Sequence, residues 1–339
     1  MPCVFTQNTR GGIITNTRFR HATELRSSPQ YQDICVYNLN MANHHVGDLQ
    51  KLKNLNKAIS MTVAYDYPLA AAAEDAQLDA ILIGDSASMV AQGNTTTVPV
   101  ALTQMIDFCK SVSRGAPNTF LIGDMPFGSY EVSAQQAVES AIALIKHGRV
   151  SSIKLEGGIR IVKSVEAIAA ANIPVMGHLG ITPQSSSNIS GYRPFGKSEQ
   201  EITRLKNDMI SLERAGAFSI LLEGVVVEIA SIARNWVQIP VYGIGSGPNL
   251  DGQLILSCDI LGLYPNFKPK FAKNYVDEAL SSMQQEASKT HTTRLYDIAV
   301  RCFSLYKDQV SSGKFPNSEY QYSIGADNRN LVEFARNLD

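Results

Sequence analysis

The stretch SSIKLEGGIRIVKSVEAIAAANIPVMGH, residues 151–178, predicts a strand, a helix and a second strand in that order. Its two outer runs, 151–156 and 173–178, are short and apolar without strict alternation, which is typical of parallel strands covered on both faces. The segment 161–171 between them predicts a helix. A helical crossover between two parallel strands is the repeating unit of α/β proteins.

Comparable units recur along most of the chain. Short apolar runs predict eight strands, at 59–65, 80–84, 119–124, 151–156, 173–178, 218–223, 240–245 and 253–258. Further helices are predicted at 68–77, 102–113, 133–147, 198–215 and 225–236. Eight strands with helices in most of the gaps favour an α/β fold, a (β/α)8 TIM barrel. A doubly wound open sheet is the alternative, but no G-x-G-x-x-G or P-loop sequence follows a strand to support it.

The helix predicted at 198–215 carries signals at both ends. Ser198 and Glu201 have the spacing of a capping box at its start. Gly216 is a typical residue just beyond a helix C-terminus. Between them, apolar residues recur at helical spacing, at Ile202, Leu205, Met209 and Leu212.

Composition excludes several classes of protein. The 30 basic and 31 acidic residues leave a net charge of −1, which argues against a nucleic-acid partner. Charges interrupt every apolar run before the roughly 18 residues of a membrane span, so no membrane partner is expected. Five scattered cysteines without a C-x-x-C pair predict reduced thiols in an intracellular compartment and no zinc site: Cys3, Cys35, Cys109, Cys258 and Cys302.

The first 50 residues differ in composition from the rest. Up to position 30 they contain four arginines, one acidic residue (Glu24) and many Ser, Thr and Asn. Such segments resemble organellar transit peptides, and a plain disordered tail is the alternative. Residues 1–50 are therefore predicted to be a leader outside the fold, with a mitochondrial location for a transit peptide and a cytoplasmic one otherwise. The barrel is expected at 51–322, with a C-terminal extension at 323–339.

Polar residues stand at the carboxyl ends of five predicted strands: Asp85, Asp124, Glu156, His178 and Glu223. In a barrel these strand ends share one rim, where the catalytic loops of the fold converge. Four carboxylates in one place require a neutralising positive charge. Mg²⁺ supplies it well, because it binds through one or two carboxylates and keeps waters and substrate oxygens.

Each of these residues also has a purely structural interpretation. Asp85 can cap the helix that follows its strand, Asp124 precedes a turn at Pro126, and a single His178 is usually a satisfied buried group. Asp66, before Tyr67-Pro68, is expected to be a turn residue and not a ligand. The coincidence across five strands, and no single residue, favours a functional site.

Two further features indicate a reaction class. Lys154 and Glu156 are two residues apart on one strand and therefore point to the same side, into the barrel. Lys154 can then hold the carboxylate of a 2-oxo acid whose keto group is polarised by the metal. Glu223, on an apolar strand that should desolvate it, is the candidate base that removes the adjacent proton.

Peptides spread from about residue 57 to 275 resemble ketopantoate hydroxymethyltransferases. The most specific are DMPFGSY (124–130), KLEGG (154–158) and GHLGITPQ (177–184), and SSGKFPNSEYQY (311–322) is a weaker match. The resemblance implies a TIM barrel of the phosphoenolpyruvate/pyruvate type, assembled as a homo-oligomer, usually a decamer. It also implies transfer of a hydroxymethyl group from 5,10-methylenetetrahydrofolate to 3-methyl-2-oxobutanoate with Mg²⁺, giving 2-dehydropantoate for pantothenate biosynthesis.

The resemblance also assigns roles to the matched residues. Asp85 and Asp124 match metal ligands, and Glu156 matches a third acidic position that holds the metal's waters. The oxo-acid contacts match Asp85, Ser86, Asp124 and Lys154. Glu223 matches the proton acceptor, and His178 matches an active-site histidine whose role stays open.

The chain departs from the family pattern at three places. Ser88 replaces a glycine near Asp85, Gly224-Val225-Val226 stands where Cys-Val-Pro is usual, and Ser246 turns the usual GAG into GSG at 245–247. Activity is still expected, because every matched chemical residue is present. Two alternatives stay open: an enzyme of the phosphoenolpyruvate mutase and isocitrate lyase group, whose K-K-C-G-H-type motif is not found here, and a catalytically silent barrel.

Overall fold

Eight parallel strands close into a barrel in the computed structural model, which describes residues 45–188, 193–265, 269–286, 294–325 and 328–338. Each strand pairs with the next along the chain, and β8 returns to β1. The strands are β1 (Ile59–Val63), β2 (Ala80–Ile83), β3 (Phe120–Asp124), β4 (Ser152–Glu156), β5 (Val175–Gly180), β6 (Ser219–Glu223), β7 (Val241–Ile244) and β8 (Gly252–Leu256). The predicted TIM barrel is confirmed, and the open-sheet alternative is wrong.

The helices that surround the barrel are α1 (Val46–Asn54), α2 (Tyr67–Asp75), α3 (Ala87–Val90), α4 (Leu102–Gly115), α5 (Ala134–Ala143), α6 (Val162–Ala170), α7 (Glu199–Arg214), α8 (Val227–Ala233), α9 (Ser257–Leu261), α10 (Val276–Glu286), α11 (Leu295–Ser311) and α12 (Arg329–Arg336). All six predicted helices are present. A π-helical turn, Leu144–Gly148, extends α5. Among the described residues, none of the helices combines the length and apolar character of a membrane crossing.

The strands are apolar throughout because each has two buried faces. On β2, Ile81 and Ile83 pack against the surrounding helices, whereas Ala80 and Leu82 belong to a separate cluster inside the barrel. Complete burial of such aliphatic side chains stabilises the fold by about 1.5–3 kcal/mol each. This two-sided burial explains why the sequence shows no polar–apolar alternation in its strands.

Helix α1 covers the amino end of the barrel. Leu49 is fully buried and joins the cluster of side chains inside the barrel. Lys53 Nζ donates a hydrogen bond of 2.7 Å to the carbonyl oxygen of Ile239 and lies 3.2 Å from Asp251 Oδ2, and both partners precede a strand. Residues 46–50 of the predicted leader therefore form part of this helix, whereas residues 1–44 lie outside the described residues.

The C-terminal segment packs on the outside of the barrel. Helix α12 contacts α7 and α8 and buries Leu331 and Ala335. The backbone nitrogen of Ile324 donates a hydrogen bond of 2.9 Å to Glu228 Oε2, on α8. The segment predicted as an extension, 323–339, is thus attached to the barrel wherever it is described.

The capping box predicted for α7 forms only in half. Ser198 Oγ accepts a hydrogen bond of 3.2 Å from the backbone nitrogen of Glu201, as predicted. The Glu201 carboxylate, however, accepts hydrogen bonds from the backbone nitrogens of Gly196 and Lys197 and from Arg193. The prediction of the reciprocal bond, from the backbone nitrogen of Ser198 to Glu201, is therefore wrong. The loop before the helix supplies other donors to this carboxylate, one guanidinium and two backbone N–H groups.

Candidate active site

One cavity at the carboxyl end of the barrel is lined by all seven residues singled out in the sequence: Asp85, Ser86, Asp124, Lys154, Glu156, His178 and Glu223. Its volume of about 170 Å³ far exceeds the ~10–15 Å³ that one water requires by the same measure. Five of the seven lie at its buried, charged floor, and aliphatic side chains form its wall. The cavity therefore has the size and the polarity of a small-molecule site.

Strand register brings the charged side chains together. Asp124, the last residue of β3, is the register partner of Lys154 on β4, and Glu156 is the partner of His178 on β5. Lys154 and Glu156, two positions apart on β4, both point into the cavity as predicted. Asp66, in contrast, caps α2 by accepting a hydrogen bond from the backbone nitrogen of Leu69, which agrees with its predicted turn role.

Lys154 is a buried cation held between carboxylates. Its Nζ lies 2.8 Å from Asp124 Oδ1 and 3.7 Å from Glu156 Oε1. Burial lowers the pKa of Lys154, but the charges of Asp124 and Glu156 outweigh burial and raise it above its usual value. Lys154 is therefore a fixed positive charge at the floor of the cavity.

Asp85 and Asp124 lie side by side with too little positive charge nearby. The backbone nitrogen of Asp85 donates a hydrogen bond of 2.9 Å to Asp124 Oδ2. Burial raises the pKa of both carboxyls, and the attraction of Lys154 only partly opposes this rise. The Asp85 carboxylate does not cap the following helix but points into the cavity. An added cation would stabilise both carboxylates in their charged form.

His178 bridges two glutamates. Its Nδ1 lies 3.2 Å from Glu156 Oε1, and its Nε2 lies 3.2 Å from Glu223 Oε2. Burial and the nearby Lys154 charge lower the pKa of His178, but Glu156 and Glu223 outweigh them and raise it to about 9. Lys154 and His178 in turn outweigh burial and lower the pKa of Glu156. The Glu223 side chain is 18% exposed and reaches towards the mouth of the cavity.

The donor set suits a magnesium ion with an open coordination shell. Across the described ranges, no group of three His, Cys, Asp or Glu side chains forms a ready-made metal cage. Glu156 Oε1 is nevertheless buried and accepts no aligned hydrogen bond from the protein. Few protein ligands and several waters are what Mg²⁺ prefers. The carboxylates of Asp85 and Asp124 could hold such an ion directly, and Glu156 could hold its waters.

Sequence reasoning missed two residues of this site, Gln184 and Tyr130. Gln184 Nε2 donates a hydrogen bond of 2.9 Å to Asp85 Oδ2, and its backbone nitrogen donates one of 3.1 Å to Glu156 Oε2. Tyr130 donates a hydrogen bond of 2.6 Å to Gln184 Oε1. Gln184 ends the peptide GHLGITPQ, and Tyr130 ends the peptide DMPFGSY. Their place in these two family-specific peptides was the one signal in the sequence that could have identified them.

Residues 43–318 match the family model described as ketopantoate hydroxymethyltransferase, which covers most of the chain. The chain belongs to this family. It is therefore an enzyme of the transferase class, and the resemblance seen in the short peptides is confirmed over the length of the barrel.

Two curated relatives illustrate the similarity. A protein of Alkaliphilus metalliredigens is 41% identical over 277 residues, which cover 82% of this chain and 92% of that protein. A protein of Emericella nidulans is 39% identical over 299 residues, which cover 86% of this chain and 79% of that protein. Both carry the name 3-methyl-2-oxobutanoate hydroxymethyltransferase.

Solved structures share the fold at low sequence identity. A putative phosphonomutase from Burkholderia cenocepacia J2315 has a TM-score of 0.52 and 12% identity, covering 72% of this chain and all of that chain. Phosphoenolpyruvate phosphomutase from Streptomyces platensis subsp. rosaceus has a TM-score of 0.50 and 12% identity, covering 81% of this chain and all of that chain. These similarities concern the barrel fold alone.

The departures from the family pattern are accommodated by local contacts. Ser88 is fully buried, donates a hydrogen bond of 2.8 Å to the carbonyl oxygen of Thr96 and accepts one from Asn94. Ser246 Oγ accepts a hydrogen bond of 3.1 Å from the backbone nitrogen of Val225 and donates one of 2.8 Å to the carbonyl oxygen of Leu222. These last two bonds enclose Glu223 on both sides along the chain.

Gly224 also belongs to the segment that carries Glu223. Its φ is +59°, and a Cβ at this position would lie 2.4 Å from Ile181 Cδ1. The backbone nitrogen of Ile181 donates a hydrogen bond of 2.9 Å to the carbonyl oxygen of Glu223, which ties the end of β5 to the end of β6. Glycine at 224 therefore allows the left-handed backbone and the close contact with Ile181 directly after Glu223.

Proposed function

We propose that this chain transfers a hydroxymethyl group from 5,10-methylenetetrahydrofolate to 3-methyl-2-oxobutanoate, giving 2-dehydropantoate. The name 3-methyl-2-oxobutanoate hydroxymethyltransferase, which two relatives carry, supports the acceptor and the transferred group. The observation that carries the proposal is the convergence of Asp85, Asp124, Lys154 and Glu223 in a single cavity. A buried cation, a pair of carboxylates short of positive charge and a more exposed carboxylate are what proton removal from a 2-oxo acid requires.

The floor of the cavity would bind the polar end of the oxo acid. Lys154 offers a fixed positive charge to the substrate carboxylate, and Ser86 lies beside Asp85 at the start of the loop after β2. Asp85 and Asp124 would hold Mg²⁺ directly, with Glu156 acting through its waters. When bound, the ion polarises the keto group and makes the neighbouring C3–H bond more acidic.

The wall of the cavity matches the branched apolar end of the same substrate. Leu82, Leu221, Ile244 and Leu254 project into the cavity from four different strands. An isopropyl group lying against them would remove apolar surface from water at about 25 cal/mol per Å². Its C3 hydrogen would then face the mouth of the cavity, where Glu223 is located.

Glu223 is the proposed proton acceptor. Its Oε2 lies 3.2 Å from His178 Nε2, and the pKa of this histidine is raised to about 9, so the ring is charged at neutral pH. Glu223 would take the C3 proton and leave the substrate as an enolate. The C3 electron pair would then form a bond to the methylene carbon of the folate, while one of the two carbon–nitrogen bonds of that carbon breaks and its electron pair returns to the nitrogen. Cleavage of the remaining carbon–nitrogen bond and addition of water complete the hydroxymethyl group and release tetrahydrofolate.

Hydrogen exchange tests the two halves of this reaction separately. The chain is incubated in D₂O with 3-methyl-2-oxobutanoate and Mg²⁺, and loss of the C3 proton is followed by NMR. We expect exchange with Mg²⁺, little exchange with EDTA, and 2-dehydropantoate only after 5,10-methylenetetrahydrofolate is added. If exchange occurs but no product forms after the folate is added, the proposed oxo-acid site stands and the proposed one-carbon donor is wrong. Absence of both would overturn the proposed function.

We propose a homo-oligomer, with the decamer implied by the family resemblance, and multi-angle light scattering gives the mass that tests it.

A mitochondrial location rests on the composition of residues 1–50 alone, and bacterial relatives such as the Alkaliphilus protein count against it. Import of the radiolabelled chain into isolated mitochondria, with cleavage of the leader, would support it, whereas a chain that stays sensitive to added protease would not.

A further inference from the structure

The Gln184 side chain joins groups from the two loops that follow β2 and β3, behind the floor of the cavity. It is 3% exposed and lies in the turn Pro183–Asn188 that follows β5. Its Nε2 donates hydrogen bonds of 2.9 Å to Asp85 Oδ2 and of 3.0 Å to the carbonyl oxygen of Met125. Its Oε1 accepts the hydrogen bond from Tyr130, and its backbone nitrogen donates to Glu156 Oε2. The Nε2, the Oε1 and the backbone nitrogen of Gln184 therefore all have hydrogen-bond partners.

These partners fix the orientation of the amide. If the amide were rotated by 180°, its Oε1 would face two other acceptors, the Asp85 carboxylate and the Met125 carbonyl oxygen. Its two amide protons would then lose these acceptors. The Tyr130 hydroxyl stabilises the observed orientation from the opposite side, because it also lies 3.2 Å from the carbonyl oxygen of Glu156. Only one arrangement of donors and acceptors therefore satisfies the network.

The backbone alone does not fix the distance between the two carboxylates. Asp85 follows β2 and Glu156 ends β4, and β3 lies between these strands, so no ladder of hydrogen bonds joins them. Two negative side chains in a buried site repel each other, and the charge of Glu156 contributes to the raised pKa of Asp85. A neutral donor that binds both can hold them close without adding further negative charge.

We propose that Gln184 is a positioning residue that holds the Asp85 and Glu156 carboxylates at the spacing a divalent cation needs. This inference rests on the proposed function, since it assumes that these carboxylates bind Mg²⁺. Partners behind the ligands of a metal site typically change metal affinity by about 10–100-fold when they are removed. Gln184 is expected to act at that level, with Tyr130 supporting it through the amide oxygen.

The test measures metal binding in the absence of substrate. Gln184→Met keeps the length of the side chain and removes its amide, while the backbone bond to Glu156 remains. Calorimetric titration with Mg²⁺ should give a Kd about 10–100-fold higher than for the unaltered chain. Gln135→Met makes the same chemical change at an exposed position on α5 and should leave the Kd unchanged. Tyr130→Phe, which keeps Gln184 but frees its Oε1, should give an intermediate Kd.

Activity at increasing Mg²⁺ separates positioning from a merely structural role. Saturating Mg²⁺ should restore most of the kcat of Gln184→Met, because the carboxylates are still present. A variant damaged in its fold would not recover in this way, and Tyr130→Phe provides the second measurement if Gln184→Met does not fold. Unchanged Mg²⁺ affinity in both variants would overturn the inference while leaving the proposed function intact. Failure of the unaltered chain to bind Mg²⁺ would instead overturn the proposed function.

Discussion

Asp124 and Lys154 are register partners on neighbouring strands, and their Oδ1 and Nζ atoms lie 2.8 Å apart at the floor of the cavity. Neither side chain is more than 3% exposed. Removing the charge of one partner would leave the other charge buried and unpaired, which is costly. Each residue therefore fixes the charge state of the other. The other oxygen, Asp124 Oδ2, accepts a hydrogen bond from the backbone nitrogen of Asp85. Because both oxygens have partners, the carboxylate cannot rotate freely.

Removal of the Asp124 charge should abolish metal-dependent binding of the oxo acid. Asp124→Ala leaves the Lys154 cation buried without its nearest partner, which can destabilise the fold by about 3–5 kcal/mol. Asp124→Asn keeps the size of the side chain and one acceptor oxygen, which can serve Lys154 or the backbone nitrogen of Asp85 but not both. Circular dichroism of both variants separates the loss of charge from loss of the fold. Calorimetry with 3-methyl-2-oxobutanoate, with and without Mg²⁺, should show no metal-dependent heat for either variant. Wild-type binding by Asp124→Asn would contradict the proposed metal role.

Replacement of Glu223 by Gln should stop proton removal without affecting binding. The amide keeps the size of the side chain but cannot accept a proton at neutral pH. We expect Glu223→Gln to bind Mg²⁺ and the oxo acid like the unaltered chain and to lose exchange of the substrate's C3 hydrogen with deuterium. If exchange continues at the original rate, another base is operating.

Ser246 should matter for the segment that carries Glu223. Ser246→Ala removes the hydroxyl that binds the backbone on both sides of this residue, leaving the buried nitrogen of Val225 without a partner. We expect kcat to fall several-fold, the affinity for Mg²⁺ to stay unchanged, and the free energy of unfolding to fall by about 1–3 kcal/mol. Ser231→Ala, which removes a hydroxyl on α8 that donates to Val227 and accepts from Asn249 outside the cavity, is the matched control. Equal kcat in both variants would show that the Ser246 hydroxyl does not position the base.

Three buried thiols should resist alkylation in the native protein. Burial raises the pKa of Cys302 to about 11 and that of Cys258 to about 12, and burial also raises the pKa of Cys109. Because the thiolate is the reactive form, iodoacetamide at pH 8 should label these residues only after denaturation. Mass mapping of the labelled peptides measures this. Rapid native labelling of Cys109 would show that the wall of the barrel opens.

Glu201 should make stability depend on pH at the start of α7. Partial burial raises the pKa of this carboxyl, but Arg193 and the backbone nitrogens of Gly196 and Lys197 outweigh burial and lower it. A lowered folded-state pKa contributes stability that is present above the unfolded value of about 4.3 and is lost as the pH falls through the folded value.

Glu201→Gln should therefore lower the midpoint of denaturant unfolding at pH 7, by an amount that shrinks towards pH 3. Glu199→Gln changes an exposed acid in the same helical turn and should have a smaller effect, about 0.3–1 kcal/mol from the helix dipole. A pH-independent difference between Glu201→Gln and the unaltered chain would show that the Glu201 charge adds nothing.

The fold and the floor of the cavity could be predicted because both follow from local periodicity. Strand boundaries differ from the predicted ones by no more than two residues, as where β8 ends at Leu256 and α9 begins at Ser257. Side chains two apart on a strand share a face, which was enough to place Lys154 and Glu156 together. The roles of these residues stay predictions, since they depend on a metal and substrates.

Contacts between segments distant in sequence could not be predicted in this way. Gln184 reaches Asp85 across 99 residues because the turn after β5 folds back over the barrel, and no spacing rule describes that path. The same holds for Ser246, whose hydroxyl bonds the backbone near Glu223 from the turn that follows β7. For Glu201 the capping rule named the residue correctly but not its partner, because Arg193 competes for the carboxylate.

Buried side chains inside the barrel, among them Leu49 of helix α1, Met61, Phe120 and Tyr242, fill the barrel beyond the floor of the cavity. In the part of the chain that the structure describes, the cavity lies at the carboxyl ends of the strands. In the proposed reaction we expect the small oxo acid, bound at the floor, to arrive before the bulkier folate, and tetrahydrofolate to depart before 2-dehydropantoate. The proposed reaction would then have a compulsory order of binding and release, which product-inhibition kinetics would reveal.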